Sequence, residues 1–131
     1  LAAARISEDE IERLEAEIAR TEAIVGAGQS PVDADIDFLA LVAAATHNPA
    51  LLLARAPVSR LMRAGYAAIA PALPQSGSRL LLSHRRLLTA LRRRDAQAAE
   101  ETMRRHLNDY RRGCEVAGMD MGLPIPPDPK G

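Results

Sequence analysis

Residues 83–110 read SHRRLLTALRRRDAQAAEETMRRHLNDY. Two of the three histidines stand in this stretch, one on each side of a short break. His84 lies among Leu80, Leu81, Leu87, Leu88 and Leu91, and His106 among Met103, Leu107 and Tyr110. Each histidine therefore falls on or beside the apolar stripe of its own helix, the stripe that faces a core. Arg94-Asp95 marks the break and turns the chain back. The two helices are expected to lie antiparallel with their histidines facing each other. Two imidazoles aimed into one apolar interior predict a pocket built around them.

Working towards the N-terminus, Pro71 to Ser78 (PALPQSGS) reads as a loop, because prolines and glycine interrupt regular elements. Ser78 is the expected cap of the His84 helix, which runs to about Arg93. Before the loop, residues 49–69 form a long helical run with Leu51, Leu52, Val58, Leu61, Met62 and Tyr66 as its apolar face. Pro57 inside that run is expected to kink or split it, since its ring blocks a helical hydrogen bond. His47-Asn48-Pro49 closes the helix before it. That earlier helix covers about 32–46 after a Ser30-Pro31 start signal. It carries Ile36, Leu39, Val42 and Ala43 on one stripe and Phe38, Leu41 and Ala45 on another. Apolar on two sides, it is expected to be central. Ser7 and Glu10 form a capping box. It opens a helix with Ile11, Leu14 and Ile18 on one face, which ends near Gly26 to Gly28. Leu1 to Arg5 reads as the last turn of a helix. The chain starts with Leu1 in a helix-favouring run, LAAAR, so an N-terminal part of a longer protein is expected to precede it.

Towards the C-terminus, Asp95 caps the His106 helix, which runs to about Val116 and is stopped by Gly118. Residues 119–131, with PIPPDP inside, are expected to be a loose Pro-rich tail. The expected architecture is all-α, an antiparallel helical bundle of about six helices, the first truncated, around a central ligand pocket. Residues 1–118 are the expected domain. No segment shows strand alternation, a long repeat or a glycine-rich phosphate loop.

At 131 residues the chain is long enough to bury a core without disulfides or zinc. With 17 basic and 17 acidic residues, its net charge of +0 offers no electrostatic basis for nucleic-acid binding by this chain alone. Cys114 is the one cysteine, so no internal disulfide forms, and a reducing cytoplasm is the expected location. No run reaches the ~18 apolar residues of a membrane span.

The segment DIDFLALVAAATHNPAL, Asp35 to Leu51, resembles the D-x-x-F-H … A-x-x-N-P-x-L signature of the ligand-binding C-terminal (FCD) domain of FadR-type regulators in the GntR family. The later run from His84 to Leu107 resembles that domain's H-x-x-I-x-x-A-I-x-x-x-D-x-x-x-A … M-x-x-H-L. Asp35, Phe38, Asn48, Pro49, His84, Ala90, Asp95, Ala99, Met103, His106 and Leu107 match in order. The resemblance implies an effector-sensing and dimerising domain for a small carboxylate. A winged helix-turn-helix domain, absent from this chain, would read the operator DNA. It also implies a divalent metal on one Asp and three His. Asp35, His84 and His106 match three of those ligands, and Leu39 stands where the fourth belongs.

Three donors, two nitrogens and one oxygen, can hold zinc or nickel with positions left for water or a ligand oxygen. The alternative is a metal-free pocket in which Asp35 and the histidines hydrogen-bond to each other or to the ligand. A carboxylate ligand calls for a cation. Arg55 projects near the apolar stripe, with Arg60 and Arg63 as the more solvent-facing alternatives. Each of them can equally be a snorkelling or interface arginine. Tyr66 and Tyr110 can offer hydroxyls to the pocket or simply pack. His47 reads as a surface or cap residue and Cys114 as a small core residue. The leading expectation is a regulatory effector-binding domain and not an enzyme. A metal-dependent hydrolase and a purely structural dimerisation bundle are the alternatives. The hydrolase needs a general base, and Asp37 projects about 200° away from the face of Asp35.

Overall fold

The computed structural model describes residues 1–120 and 122. Among them are seven helices and no strand. They are α1 (Ala2–Arg5), α2 (Glu8–Gly26), α3 (Val32–Ala44), α4 (Pro49–Leu53), α5 (Arg55–Ala72), α6 (Ser76–Arg92) and α7 (Ala96–Val116). The tail expected over 119–131 falls, apart from 119, 120 and 122, outside the described residues.

The caps at two helix starts follow local chemistry. Ser7 Oγ accepts from Glu10 N at 3.2 Å, and Glu10 Oε2 accepts from Ser7 N at 2.8 Å. This reciprocal box satisfies two donors that α2 would otherwise leave bare. Asp95 caps α7 by accepting from Ala98 N at 3.0 Å.

The helical run expected over 49–69, with a kink or split at Pro57, is split into two helices. Asn48 starts α4 by accepting from Ala50 N at 3.0 Å, and the chain reorients at Ala54. Pro57 explains the break: it cannot donate to the carbonyl of Leu53, and its ring crowds that carbonyl. The split raises the count from six to seven. The loop expected over 71–78 shrinks to Leu73–Gln75. Helix α5 continues through Pro71 to Ala72, and α6 begins at Ser76. Ser78 is therefore not a cap but lies inside α6, whose N-cap is Gln75 without a side-chain bond. Gly77 lets that start pack closely on α2, since a Cβ there would come within 3.3 Å of Val25.

Five helices close a ring. Helix α3 packs on α2 and α5, α5 on α7, α7 on α6, and α6 back on α2. Helix α1 lies across α3, α6 and α7. One apolar cluster, including Ile6, Leu14, Phe38 and Leu91, fills the α1–α2–α3–α6 side. A second, with Ile36, Met62, Tyr66 and Leu80, fills the α3–α5–α6 side. Leu39 packs against both. Each fully buried aliphatic side chain here contributes about 1.5–3 kcal/mol. Leu51, Leu52 and Val58, expected on a buried face, are instead exposed, together with Leu53. Helix α4 and the first turn of α5 lie on the outside of the ring. No helix among the described residues is long and apolar enough to cross a membrane.

Candidate metal and ligand site

Asp35 sits in the first turn of α3 and is fully buried. A bare carboxylate there would cost several kcal/mol, on the order of the desolvation of one ion. Two donors offset that cost. Tyr66 of α5 donates its hydroxyl to Oδ2 at 2.9 Å. His84 of α6 donates Nε2–H to Oδ1 at 2.7 Å. This requires the His84 proton on Nε2. His106 of α7 brings its Nε2 to 3.6 Å from the same Oδ1, beyond hydrogen-bond reach. Four helices of the ring thus each supply one member of the cluster.

Phe38 stands three residues after Asp35, on the same side of α3. Its ring stacks on His84 at 3.8 Å between centroids and 13° between planes. The imidazole is held between an apolar ring and a carboxylate, with one orientation available. Its other nitrogen, Nδ1, is buried without a partner. Across the ring on α2, Glu17 Oε1 is likewise unpartnered; it lies 3.3 Å from Arg20 Nε but out of line for a hydrogen bond. Burial raises the Glu17 pKa.

The remaining electrostatics follow burial. Desolvation lowers the His106 pKa and outweighs the opposing pull of Asp35, with His84 adding to the lowering. The neutral imidazole, with a free nitrogen, is the favoured form. Burial first, then the Asp35 charge, raises the Tyr66 pKa far above the phenol value, so it stays a donor. Tyr110 and Cys114 are also raised by burial.

The cluster borders open space at His106 and Tyr66. A cavity of about 260 Å³ lies between α5, α6 and α7, and Tyr66 and His106 are its walls towards Asp35. Ile69, Leu73, Leu80 and Val116 make it largely apolar. Tyr110 lines it too, but its hydroxyl is committed to the carbonyl of Leu61 at 2.8 Å. Arg55 and Arg60 are exposed and do not line this cavity, and Arg63 pairs with Asp33 at the surface. The break at Ala54 turns the start of α5 outward, so the inward projection expected of Arg55 does not occur. The arginines that reach the cavity are Arg79 and Arg112, which the sequence reading passed over. Their signal was present as arginines seven residues apart, Arg79 with Arg86 and Arg105 with Arg112, on faces adjoining the histidine stripes.

The donor set can be tested against a divalent ion. One ligand atom from each of Asp35, His84 and His106 lies within 4.8 Å of the others. An N₂O set at that spacing fits a three-residue site with further positions left for small oxygen ligands. Leu39 offers no donor. A second weakness is His84 Nδ1, which has no carbonyl or carboxylate to accept its proton once Nε2 is a ligand. The residues fit a metal, and the missing fourth donor and the unpartnered Nδ1 both count against tight binding.

Other candidates fall outside the site. His47 is exposed and meets Glu10 at 2.9 Å. Asp37 binds Arg20 at 3.1 Å on the outside of the ring. Cys114 is buried where α7 meets Gly65 of α5.

A family model described as the FCD domain matches residues 1–109, a span that contains Asp35, His84 and His106. No curated protein and no solved structure matches the chain.

Proposed function

The chain belongs to the FCD domain family, the effector-binding and oligomerisation domain of GntR-family regulators, and from that premise we propose that it senses a small organic acid through Asp35, His84 and His106. The observation that carries this reading is a buried polar cluster assembled from four helices and reached, past His106 and Tyr66, from a cavity. Structural packing alone does not require that arrangement, because buried polar groups are costly.

Roles divide by geometry. Asp35 accepts from both Tyr66 and His84 and holds them in register. His106, the looser member, faces the cavity and would meet the ligand first. Asp35, His84 and His106 would hold a divalent metal, zinc or nickel, with Leu39 in place of a fourth ligand. Such an ion would supply a Lewis-acidic centre for a ligand carboxylate oxygen. A ligand that touches α7 through His106 also touches the closed ring, so it favours one packing of α6 and α7 over another. In a full-length regulator, a winged helix-turn-helix domain ahead of this one would convert that shift into altered operator binding. Self-association is assigned to the exposed apolar residues Leu51, Leu52, Leu53 and Val58. Asp37, the expected base for a hydrolytic role, is held by Arg20 on the outside of the ring, which counts against that role.

The test is titration calorimetry of small organic acids, with and without zinc or nickel, and elemental analysis of the purified chain. Binding of at least one acid, lost in His106→Ala, is the expected result. No binding of any acid or metal by the native chain would remove the sensing role.

A further inference from the structure

A second cavity of about 370 Å³, with four arginines among its lining residues, lies on the outer seam of α6 and α7. It shares Arg79, Ser83, His106, Asp109 and Arg112 with the apolar cavity, so the two meet at His106. Its walls follow from helical spacing. On α6, Arg79, Ser83 and Arg86 recur at intervals of four and three residues, and on α7, Arg105, Asp109 and Arg112 do the same. Residues at that spacing share a face. The two stripes confront each other across the seam.

The result is four guanidinium groups against one carboxylate. Asp109 is taken by Arg79 at 2.8 Å. Arg105 is paired with Glu101 along its own helix. Arg86 and Arg112 have no carboxylate partner among the described residues. In a chain of net charge +0, with 17 acidic residues to distribute, this seam concentrates like charge. Like charges gathered in a cleft repel each other and attract an anion. Guanidinium groups match carboxylates by two parallel hydrogen bonds.

We infer that the α6–α7 seam is a second anion subsite, so that the effector is an acid with at least two carboxylates. One carboxylate reaches the Asp35–His84–His106 cluster past His106. The other lies between Arg86 and Arg112, with Arg79 and Arg105 as flanking charges. This rests on the sensing role proposed above and adds the class of ligand. Such a molecule bridges α6 and α7 from inside and outside the ring, which a monocarboxylate cannot do.

The experiment compares succinate, glutarate and citrate with acetate and butyrate by calorimetry at fixed ionic strength. The proteins are the native chain, an Arg86→Ala variant, whose arginine lines the seam and not the apolar cavity, and an Arg93→Ala control, whose arginine lines neither. The polyacids should bind the native chain at least about tenfold more tightly than the monoacids, since each charge-assisted pair is a strong contact. Arg86→Ala should lose most of that advantage and keep its monoacid affinity, and Arg93→Ala should change neither. Equal affinity for polyacids and monoacids, or a polyacid preference that survives Arg86→Ala in full, would overturn the second subsite and leave the sensing role standing. Equal weakening of all anions, sulfate included, in both variants would also overturn it, as the sign of diffuse charge. If no acid binds the native chain, the sensing role and the subsite fall together. Circular dichroism of Arg86→Ala separates lost binding from lost folding, and Arg86 is exposed.

Discussion

At Asp35 both carboxylate oxygens are committed, one to Tyr66 and one to His84. The imidazole left over is His106. Its pKa is held down mainly by burial, so the folded chain prefers it neutral. The unfolded chain takes up that proton near the ordinary histidine value of about 6.5. A depressed folded pKa contributes stability that is fully present above that value and is lost as pH falls below it. Urea unfolding with a chelator present should therefore show lower stability at about pH 5.5 than at about pH 7.5, and His106→Gln should reduce the difference. One turn from Asp35, Leu39 withholds a fourth donor and instead packs on both apolar clusters. Leu39→His should tighten zinc binding by about tenfold, ~1.4 kcal/mol. It should cost on the order of 1 kcal/mol of stability through lost packing. Zinc titration and urea unfolding of the same variant read both, and unchanged zinc affinity would show that this position does not face the site.

Helix ends repeat one device. At the end of α2, Gln29 N reaches Ile24 O and Gly28 N reaches Val25 O, each at 3.0 Å. The end of α7 shows the same pair from Met119 and Gly118. Both glycines are left-handed, with φ of 70° and 79°, as this terminator requires. The end of α6 has the same bonds from Asp95 and Arg94, yet Arg94 carries the left-handed φ of 52°. A side chain there is strained. Arg94→Gly should stabilise the chain by roughly 0.5–1 kcal/mol, the relief of strain less the added chain entropy. A fall in the thermal midpoint would show that the contact of Arg94 with Ala3 O matters more. Where α5 crosses α7, close approach decides the packing. A Cβ on Gly65 would overlap the Tyr110 hydroxyl and press on Cys114 Sγ. Gly65→Ala should cost about 1–3 kcal/mol by overpacking, visible as a lower urea midpoint. An unchanged midpoint would mean that Tyr110 can move away freely.

For the molecule as a whole, ring closure places one titratable or polar group from each of α3, α5, α6 and α7 at a common centre, and leaves α4 outside. The outward leucines of α4 are the surface assigned to self-association. Leu53, at 80% exposure, contributes nothing to the ring. Leu53→Asp should therefore shift the chain towards monomer in light scattering while leaving the urea midpoint within about 0.5 kcal/mol of native. A dimer that persists would move the interface elsewhere. Much of this arrangement was legible beforehand. Local bonding determines the Ser7 box, the Asp95 cap and the Gly118 stop, and helical period alone places His84 and His106 on inward faces. The Asp35 position came from the family motif, since one acid near a helix start looks like any other. What only the tertiary structure decided depends on contacts between distant residues. The partnership of Tyr66 with Asp35 spans 31 residues. Helix α6 starts at Ser76, where Gly77 packs closely on Val25, although local cap chemistry favoured Ser78. The outward turn of Arg55 follows from where Pro57 breaks the chain, and that Arg79 and Arg112 border the cavity is decided only once α6 and α7 are laid side by side. Periodicity says which face of a helix is apolar, but the direction of a polar side chain beside that face is set by its neighbours across the ring.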